Sequence, residues 1–238
     1  MTDTLFLDAY LKSAEVSVTG HQEAGVITDA TLFYAQGGGQ PGDQGRIEWD
    51  GRSAEVVNSV KADGGIAMVL AEGSDVPPVR AKITQTLNWE RRFRHMKIHT
   101  ALHLLSVVIP LPVTGGAISV EKGRLDFNMP EALEDKEAVA QALNDIIARD
   151  LPVTDDWITD AELEANPGLV KTMSVKPPMG AGRVRLVRIG DGDAQVDLQP
   201  CGGTHVKRTS EIGSVRIGNV EKKGKQNRRV NLFLDDGA

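Results

Sequence analysis

The stretch from Arg91 to Ser106 reads RRFRHMKIHTALHLLS and places two histidines, His99 and His103, four residues apart in an apolar run. Four residues are about one helical turn, so a helix here turns both imidazoles to the same side. Asn88 is a favourable N-cap for such a helix. Residues 96–109 are apolar on almost every side, which predicts that the helix is buried.

A second pair of the same spacing follows about a hundred residues later, in the segment CGGTH that holds the only cysteine of the chain. A lone cysteine is usually a small core residue, and a histidine pair in an apolar helix is more often packing than ligation. Together, however, the two pairs supply three nitrogens and one sulfur, which are ligand types that zinc favours. The sequence therefore predicts a zinc site formed by His99, His103, Cys201 and His205.

These residues allow two other chemical interpretations. Cys201 as a nucleophile activated by His205 leaves the helical histidine pair unexplained. A metalloprotease would carry His-Glu-x-x-His on its helix, whereas Thr100 and Ala101 follow His99 here, with no glutamate to act as base. The zinc site accounts for more of the residues than either alternative.

The composition is that of an ordinary soluble globular protein. The 238 residues are 40% hydrophobic and 25% charged, enough for one large domain or two ordinary ones. No apolar run reaches membrane-spanning length, and the first residues lack the pattern of a secretory signal. A single cysteine excludes an intrachain disulfide framework. We therefore expect a cytoplasmic protein without a membrane partner.

The net charge of -6 hides a segregation of charge along the chain. Residues 80–104 carry a net charge of +5 and residues 205–230 one of +6, whereas residues 131–170 carry -9. The simplest explanation is that charged side chains cover exposed faces. Both basic stretches nevertheless adjoin the predicted ligands, so they would surround the metal site. This arrangement is expected for a polyanionic partner such as RNA.

Residues 1–85 are predicted to form a small antiparallel β-barrel domain, because short β-branched stretches alternate with glycine-bearing turns. Among them, residues 33–45 read FYAQGGGQPGDQG, which fits neither a P-loop nor a dinucleotide-binding motif. This segment is either an irregular turn or a loop that faces RNA or the active site. The residues expected to make such contacts are Gln36, Gly37, Gly38, Gly39 and Gln40.

Residues 86–238 are predicted to form a second domain, in which helices pack on an antiparallel sheet. An amphipathic stripe over residues 133–147 predicts a helix with an acidic outer face. Alternating patterns and turn residues predict strands near residues 116–120, 124–127, 183–189, 212–217 and 229–234. With the barrel, this gives an α+β fold.

Four motifs together resemble a known family: HTALH at 99–103, CGGTH at 201–205, GGGQPGD at 37–43 and GKQNRRV at 224–230. They are similar to the editing domain of alanyl-tRNA synthetase, and more closely to its free-standing relatives, the alanyl-tRNA editing proteins of the AlaX group. The resemblance covers nearly the whole chain. The glycine loop indicates the longer form of these proteins, which has an N-terminal barrel.

The resemblance implies hydrolysis of tRNA that carries the wrong amino acid, chiefly serine on alanine tRNA, with glycine as a second candidate. It implies zinc as the cofactor at the four residues named above. A catalytic zinc keeps one coordination position open for water or substrate. One of the four residues would then not coordinate the metal. A catalytically inert, zinc-stabilised tRNA-binding module with a closed four-residue site is the alternative.

The resemblance also directs attention to residues outside the metal set. Thr114 stands where the synthetase pattern has a glutamine, and it is the candidate catalytic-site residue for recognition of the serine hydroxyl. The further residues expected to contact substrate or tRNA are Arg91, Arg92, Gly115, Gly116, Arg124, Lys222, Lys223 and Arg229.

Overall fold

The computed structural model describes residues 2–131, 133, 135–172 and 182–235. The chain divides into two compact units, Met1–His95 and Met96–Ala238, and the division falls inside one long helix. We call them the barrel unit and the second unit. The predicted α+β class is confirmed. Within the described ranges, no helix combines the length and apolar character needed to cross a membrane.

The barrel unit consists mainly of β-strands. They are β1 (Asp3–Thr4), β2 (Ser13–Gln22), β3 (Gly25–Thr28), β4 (Ala30–Thr31), β5 (Gly45–Trp49), β6 (Arg52–Ala62), β7 (Gly65–Leu70) and β8 (Lys82–Leu87). Six of them form a closed antiparallel barrel in the order β2-β3-β7-β6-β5-β8, and β8 pairs back with β2. The predicted barrel is therefore confirmed.

The barrel strands alternate between the interior and the surface, as the two-residue period of a strand requires. In β5, for example, Ile47 and Trp49 are buried, whereas Arg46 and Glu48 point outward and form an ion pair at 3.2 Å. The interior is closed by bulky side chains from several strands and from the segment after β4, among them Phe33 and Met68.

Helix α1 (Trp89–Val108) contains the whole stretch from Arg91 to Ser106. The Asn88 side chain accepts a hydrogen bond from the Arg91 amide at 3.2 Å, so the predicted N-cap is present. The ladder continues to Ile109, whose amide donates to the Leu105 carbonyl at 2.9 Å. The helix thus presents His99 and His103 one turn apart, as predicted.

Among its described residues, the second unit continues with two further α-helices and seven strands. They are β9 (Val113–Ile118), β10 (Lys122–Asn128), α2 (Lys136–Ala148), β11 (Val153–Thr159), α3 (Asp160–Ala165), β12 (Arg183–Ile189), β13 (Asp197–Pro200), β14 (Ser214–Lys222) and β15 (Asn227–Asp235). The strands form two antiparallel sheets, a four-stranded one in the order β14-β15-β10-β9 and a three-stranded one in the order β11-β12-β13.

Helices pack on the four-stranded sheet from the side of its apolar residues. A Cβ atom at Gly123 would lie 2.5 Å from Cγ2 of Ile98, so the close approach of α1 to β10 requires glycine there. Helix α2 is capped by Asp135, whose carboxylate accepts from the Ala138 amide at 2.8 Å. Asn144 of α2 then bonds both backbone groups of Val215, which fixes this helix to β14.

Candidate metal centre and active site

The four residues predicted to bind metal come together in the second unit. The side-chain atoms that His99, His103, Cys201 and His205 offer as ligands all lie within 4.8 Å of one another. The Cys201 sulfur is 3.5 Å from Nε2 of His99 and 3.3 Å from Nε2 of His205. One helix supplies two of these residues, and the loop after β13 supplies the other two.

A carboxylate orients His103 from behind. Oδ2 of Asp197 lies 3.1 Å from Nδ1 of His103, so Nδ1 carries the proton and Nε2 remains for a metal. Asp197 is itself held by Lys171, whose Nζ lies 2.5 Å from Oδ1, and by Gln199, whose amide donates to Oδ2 at 2.7 Å. This carboxylate is therefore fixed on both oxygens.

Thr100 fixes the tautomer of His205 by a similar argument. The hydroxyl of Thr100 has one proton, which it donates to the Met96 carbonyl at 3.0 Å. Its oxygen lies 3.1 Å from Nδ1 of His205 and therefore accepts the proton of that nitrogen. The Nε2 atom of His205 is left unprotonated and turned toward the Cys201 sulfur.

The protonation states also suit ligation. Burial opposes a thiolate at Cys201, but the neighbouring His99 and His205 and a hydrogen bond from His103 lower its pKa well below the usual range. Burial and the nearby His99 hold the pKa of His205 well below its usual range. Burial also disfavours charge on His103, yet Asp197 and Cys201 raise its pKa to about 9. Metal binding at this centre would therefore release a proton from His103.

The donor set fits zinc. Bonds of about 2.0–2.3 Å in a tetrahedral site separate neighbouring ligand atoms by roughly 3.3–3.8 Å, and both sulfur–nitrogen distances above agree with this. Outer hydrogen bonds to two of the three imidazoles complete the pattern that zinc sites usually show. Nitrogen and sulfur donors do not suit magnesium or calcium.

A buried arginine holds the loop that carries Cys201. Nη1 of Arg185, on β12, donates to the carbonyl oxygens of Gly203 at 2.6 Å and of Cys201 at 3.3 Å. Nη2 of the same side chain donates to Asp155 on β11 at 2.7 Å. The backbone of the CGGTH segment is thereby tied to the three-stranded sheet through one guanidinium.

Two family models match parts of the chain. Residues 184–231 match the "Threonyl and Alanyl tRNA synthetase second additional domain", which spans the CGGTH segment. Residues 5–91 match "tRNA synthetases class II (A)".

Full-length relatives extend this similarity. The chain is 34% identical to the alanyl-tRNA editing protein AlaX-M of Methanosarcina mazei, over 100% of this chain and 98% of the relative. The chain belongs to the AlaX family of alanyl-tRNA editing proteins. It is also 31% identical to AlaX-L of Pyrococcus horikoshii, over 94% of this chain and 56% of that protein. An alanine–tRNA ligase of Pyrobaculum calidifontis is 33% identical over 92% of this chain, which corresponds to 25% of the ligase.

Thr114 lies on β9, near a cluster of charged residues. Its hydroxyl is 2.9 Å from Oδ1 of Asn227 and 3.1 Å from the Asp126 carbonyl, two acceptors for its one proton. Gly115 stands opposite Asp126 in the β9–β10 ladder. The carboxylate of Asp126 binds both Arg124, at 2.8 Å, and Arg229, at 2.8 Å. Several of the residues predicted to contact substrate or tRNA thus share one sheet.

The other predicted tRNA contacts of the second unit are exposed. Gly116 on β9 is exposed, as are Lys222 at the end of β14 and Lys223, which follows it. Lys223 forms an ion pair with Glu221 at 2.7 Å. All three residues keep surface on which a polyanion can bind.

The glycine loop of the barrel unit forms a tight turn. Gly37 and Gln40 pair through two backbone hydrogen bonds of 3.1 and 2.9 Å, and Gly38 and Gly39 between them have φ values of 57° and 83°. Such positive φ values favour glycine. The side chain of Gln40 is buried with 1% of the residue exposed, so the expected RNA contact from Gln40 is corrected; the glycines and Gln36 retain exposure.

Arg92 also requires correction. It has no exposed surface, and its guanidinium forms an ion pair with Asp43 and donates to the carbonyls of Leu32, at 2.8 Å, and Ala9, at 3.1 Å. A direct tRNA contact is incompatible with this position, so Arg92 is a structural residue of the barrel unit. Its neighbour Arg91 is half-exposed.

The residues that support the ligands were not predicted from the sequence. Asp197 and Gln199 precede Cys201 at two-residue intervals on a strand that the turn at residues 191–193 predicts, but nothing in the spacing showed that this face of the strand meets His103. Arg185 lay within a predicted strand, and nothing in its pattern distinguished it from the arginines around it. Thr100 follows a ligand directly in the sequence, and only the fold shows that its hydroxyl meets His205.

Proposed function

We propose that this chain hydrolyses the ester bond between a wrongly attached amino acid and the 3′ end of alanine tRNA. The preferred substrate is seryl-tRNA, with glycyl-tRNA as a second candidate, and the reaction belongs to the zinc-dependent carboxylic ester hydrolases. The convergence of His99, His103, Cys201 and His205 in a chain related along its whole length to AlaX-M is the observation that carries the proposal.

The residues of the chain have defined tasks in this proposal. When bound, zinc supplies Lewis acidity toward an ester carbonyl or a water molecule. Asp197 and Thr100 hold His103 and His205 in the tautomers that leave Nε2 available, and Arg185 keeps the Cys201 backbone in place. Burial of the three histidines limits competing contact with bulk water.

Recognition of serine requires a polar partner in the site. Serine is alanine plus one oxygen, so no pocket admits serine and excludes alanine by size. A site that must pair with the hydroxyl rejects alanine, because a buried polar group left unpaired costs about 1–3 kcal/mol. We assign this task to Thr114. Its own proton is taken by Asn227 or by the Asp126 carbonyl, so its oxygen would accept the proton of the serine hydroxyl.

We assign tRNA binding to the predicted residues that keep accessible surface. We also propose residues 1–85 as the barrel domain and residues 86–238 as the catalytic domain, acting in the cytoplasm. The tRNA-binding residues are Gly37, Gly38, Gly39, Arg91, Gly115, Gly116, Arg124, Lys222, Lys223 and Arg229.

The test is release of serine from preformed seryl-tRNA by catalytic amounts of the chain. We expect many turnovers per molecule, and a Thr114→Val variant with slower seryl-tRNA hydrolysis at unchanged zinc content. Thr114→Ser, which keeps the hydroxyl, is the matched control and should retain the preference for seryl-tRNA over alanyl-tRNA. Binding of tRNA without any release of serine would instead identify an inert tRNA-binding module.

A further inference from the structure

An exposed tryptophan lies in the three-stranded sheet of the second unit. Trp157 on β11 keeps 44% of its surface exposed, which is unusual for the largest apolar side chain. Cζ of Arg183, on β12, lies 4.8 Å from the centroid of the ring. The guanidinium therefore covers part of the indole and leaves the rest open to solvent.

The register of the sheet places Trp157 in line with the metal centre. Trp157 pairs with Arg185 in the β11–β12 ladder, and the Cys201 amide donates to the Arg185 carbonyl at 3.2 Å. The three residues form one row, and directly paired residues have their side chains on the same face of a sheet. Adjacent strands are about 4.8 Å apart, so the Cα atoms of Trp157 and Cys201 are separated by roughly 10 Å.

Side-chain contacts support this placement. Arg185 reaches Asp155, two residues before Trp157 and hence on its face, and also reaches the carbonyls of Cys201 and Gly203. On β13, Asp197 shares the face of Cys201 and contacts the ligand His103. The metal centre and the indole thus lie at two ends of one sheet face, with Arg185 between them.

The charges around Trp157 favour a base over a phosphate. The tryptophan belongs to residues 131–170, the acidic part of the chain, and its neighbours Asp155 and Asp156 are paired with Arg185 and Arg188. A surface neutralised in this way offers little attraction to a phosphate group. An indole beside a guanidinium is, in contrast, a good stacking partner for any nucleobase.

We propose that Trp157 and Arg183 form a stacking platform for an unpaired nucleobase at the 3′ end of the tRNA. The proposal rests on the proposed function, which places the aminoacyl ester at the metal centre. A terminal nucleotide and its ester bridge a gap of the size found between Cys201 and Trp157. The platform would hold the single-stranded end by its base while Arg185 keeps the ligand loop in position.

Binding of uncharged tRNA tests this separately from hydrolysis. We would measure the affinity of the full chain for tRNA with an intact 3′ CCA end and for the same tRNA without CCA. We expect Trp157→Ala to weaken binding of the intact tRNA by roughly five- to a hundredfold and to leave binding of the shortened tRNA unchanged. Trp157→Phe keeps an aromatic ring and should retain most of the affinity. Trp89→Phe, at a tryptophan stacked on Phe93, is the matched control.

The outcomes separate the possibilities. A tetranucleotide ACCA should quench the fluorescence of the wild-type chain and of Trp89→Phe, but not that of Trp157→Phe. Equal losses for both tRNAs, or no loss for either, would overturn the platform. So would a change in sedimentation of Trp157→Ala without a change in RNA affinity, because the tryptophan would then bind a second copy of the chain. Absence of serine release with intact RNA binding would instead refute the proposed function alone.

Discussion

Each of the two glycine-rich segments is held by a buried arginine, but the two arrangements differ. In the barrel unit, Arg92 pairs with Asp43, which belongs to the glycine segment itself, and residues 37–40 close on each other through backbone hydrogen bonds. The carboxylate of Asp43 and the backbone of residues 37–40 thus serve to hold the segment itself. The result is a rigid turn with a buried anchor.

In the second unit, the arginine leaves the side chains of its segment available to bind a metal. Arg185 binds two backbone carbonyls of CGGTH, and its carboxylate partner, Asp155, lies on another strand. The side chains of Cys201 and His205 are therefore not needed to hold the loop and can serve as ligands. The comparison shows that glycine content does not distinguish a structural loop from a functional one; what the anchoring side chain binds does.

The largest expected effect on stability is that of Arg92→Met. Arg92 and Asp43 are both almost fully buried, and removing one partner of such a pair costs about 3–5 kcal/mol, because the remaining charge is uncompensated. Urea unfolding should report this loss, while zinc bound per folded chain stays the same. Adding Asp43→Asn to Arg92→Met removes the buried negative charge that is left without a partner, and should restore part of the stability. A loss below about 1 kcal/mol would contradict a structural role.

Removal of a ligand should affect the metal instead of the fold of the barrel. Structural zinc sites bind with about 10–16 kcal/mol, so one ligand of four contributes roughly 3–4 kcal/mol. We expect Cys201→Ala to lower zinc affinity by several hundredfold and to abolish hydrolysis of seryl-tRNA. Competition with a chromophoric chelator measures the affinity. A chelator should also inactivate the wild-type chain, and added zinc should restore it; full zinc occupancy in Cys201→Ala would refute the site.

A smaller effect is expected from Arg185→Lys. Lysine keeps the charge but has no planar fork, so it cannot hold Asp155 and both loop carbonyls together. Changes in the outer contacts of zinc sites typically cost 10- to 100-fold in metal affinity or activity, and we expect a loss in this range. Arg188→Lys is the matched control, since Arg188 lies on the same strand but pairs with Asp156. Equal losses in the two variants would show that the contacts of Arg185 with the loop carbonyls are not the cause of the loss.

A feature could be predicted from the sequence when the residues that form it lie close together along the chain. The four ligands could be predicted because each pair lies within five consecutive residues. The barrel was predictable from its alternation and its turns, whereas strand β11 (Val153–Thr159) was missed. Its residues are mostly polar or exposed because it lies at a sheet edge.

The supporting contacts depend on tertiary register. Asp197 and His103 are 94 residues apart, and Thr100 and His205 are 105 apart. A charge count over residues 80–104 likewise could not show that Arg92 is buried and Arg91 is not. Such assignments need the position of each side chain relative to the barrel.

The smallest loss of stability among the three arginine–aspartate clusters is expected at Asp126. This cluster tests whether burial explains the large loss expected for Arg92→Met. Asp126 binds Arg124 and Arg229, and all three side chains keep some exposure, between 13% and 29%. Partly exposed pairs contribute up to about 1 kcal/mol, so Asp126→Asn should cost far less than Arg92→Met. Asp75→Asn, in a largely exposed pair with Arg52, is the control and should have no measurable effect.

The pH dependence of the stability of Asp126→Asn shows whether the charged carboxylate of Asp126 stabilises the folded chain. Burial opposes the charge on Asp126, but hydrogen bonds from Arg229 and Arg124 lower its pKa below the usual range. A carboxyl whose pKa is lowered by folding stabilises the folded chain above its unfolded pKa, about 3.9, and this stabilisation is lost as the pH falls through the folded value. The stability difference between wild type and Asp126→Asn should therefore be constant near neutral pH and shrink below about pH 4. Urea unfolding at a series of pH values measures it, and a difference that grows in acid would show that Arg124 and Arg229 do not stabilise the charged carboxylate.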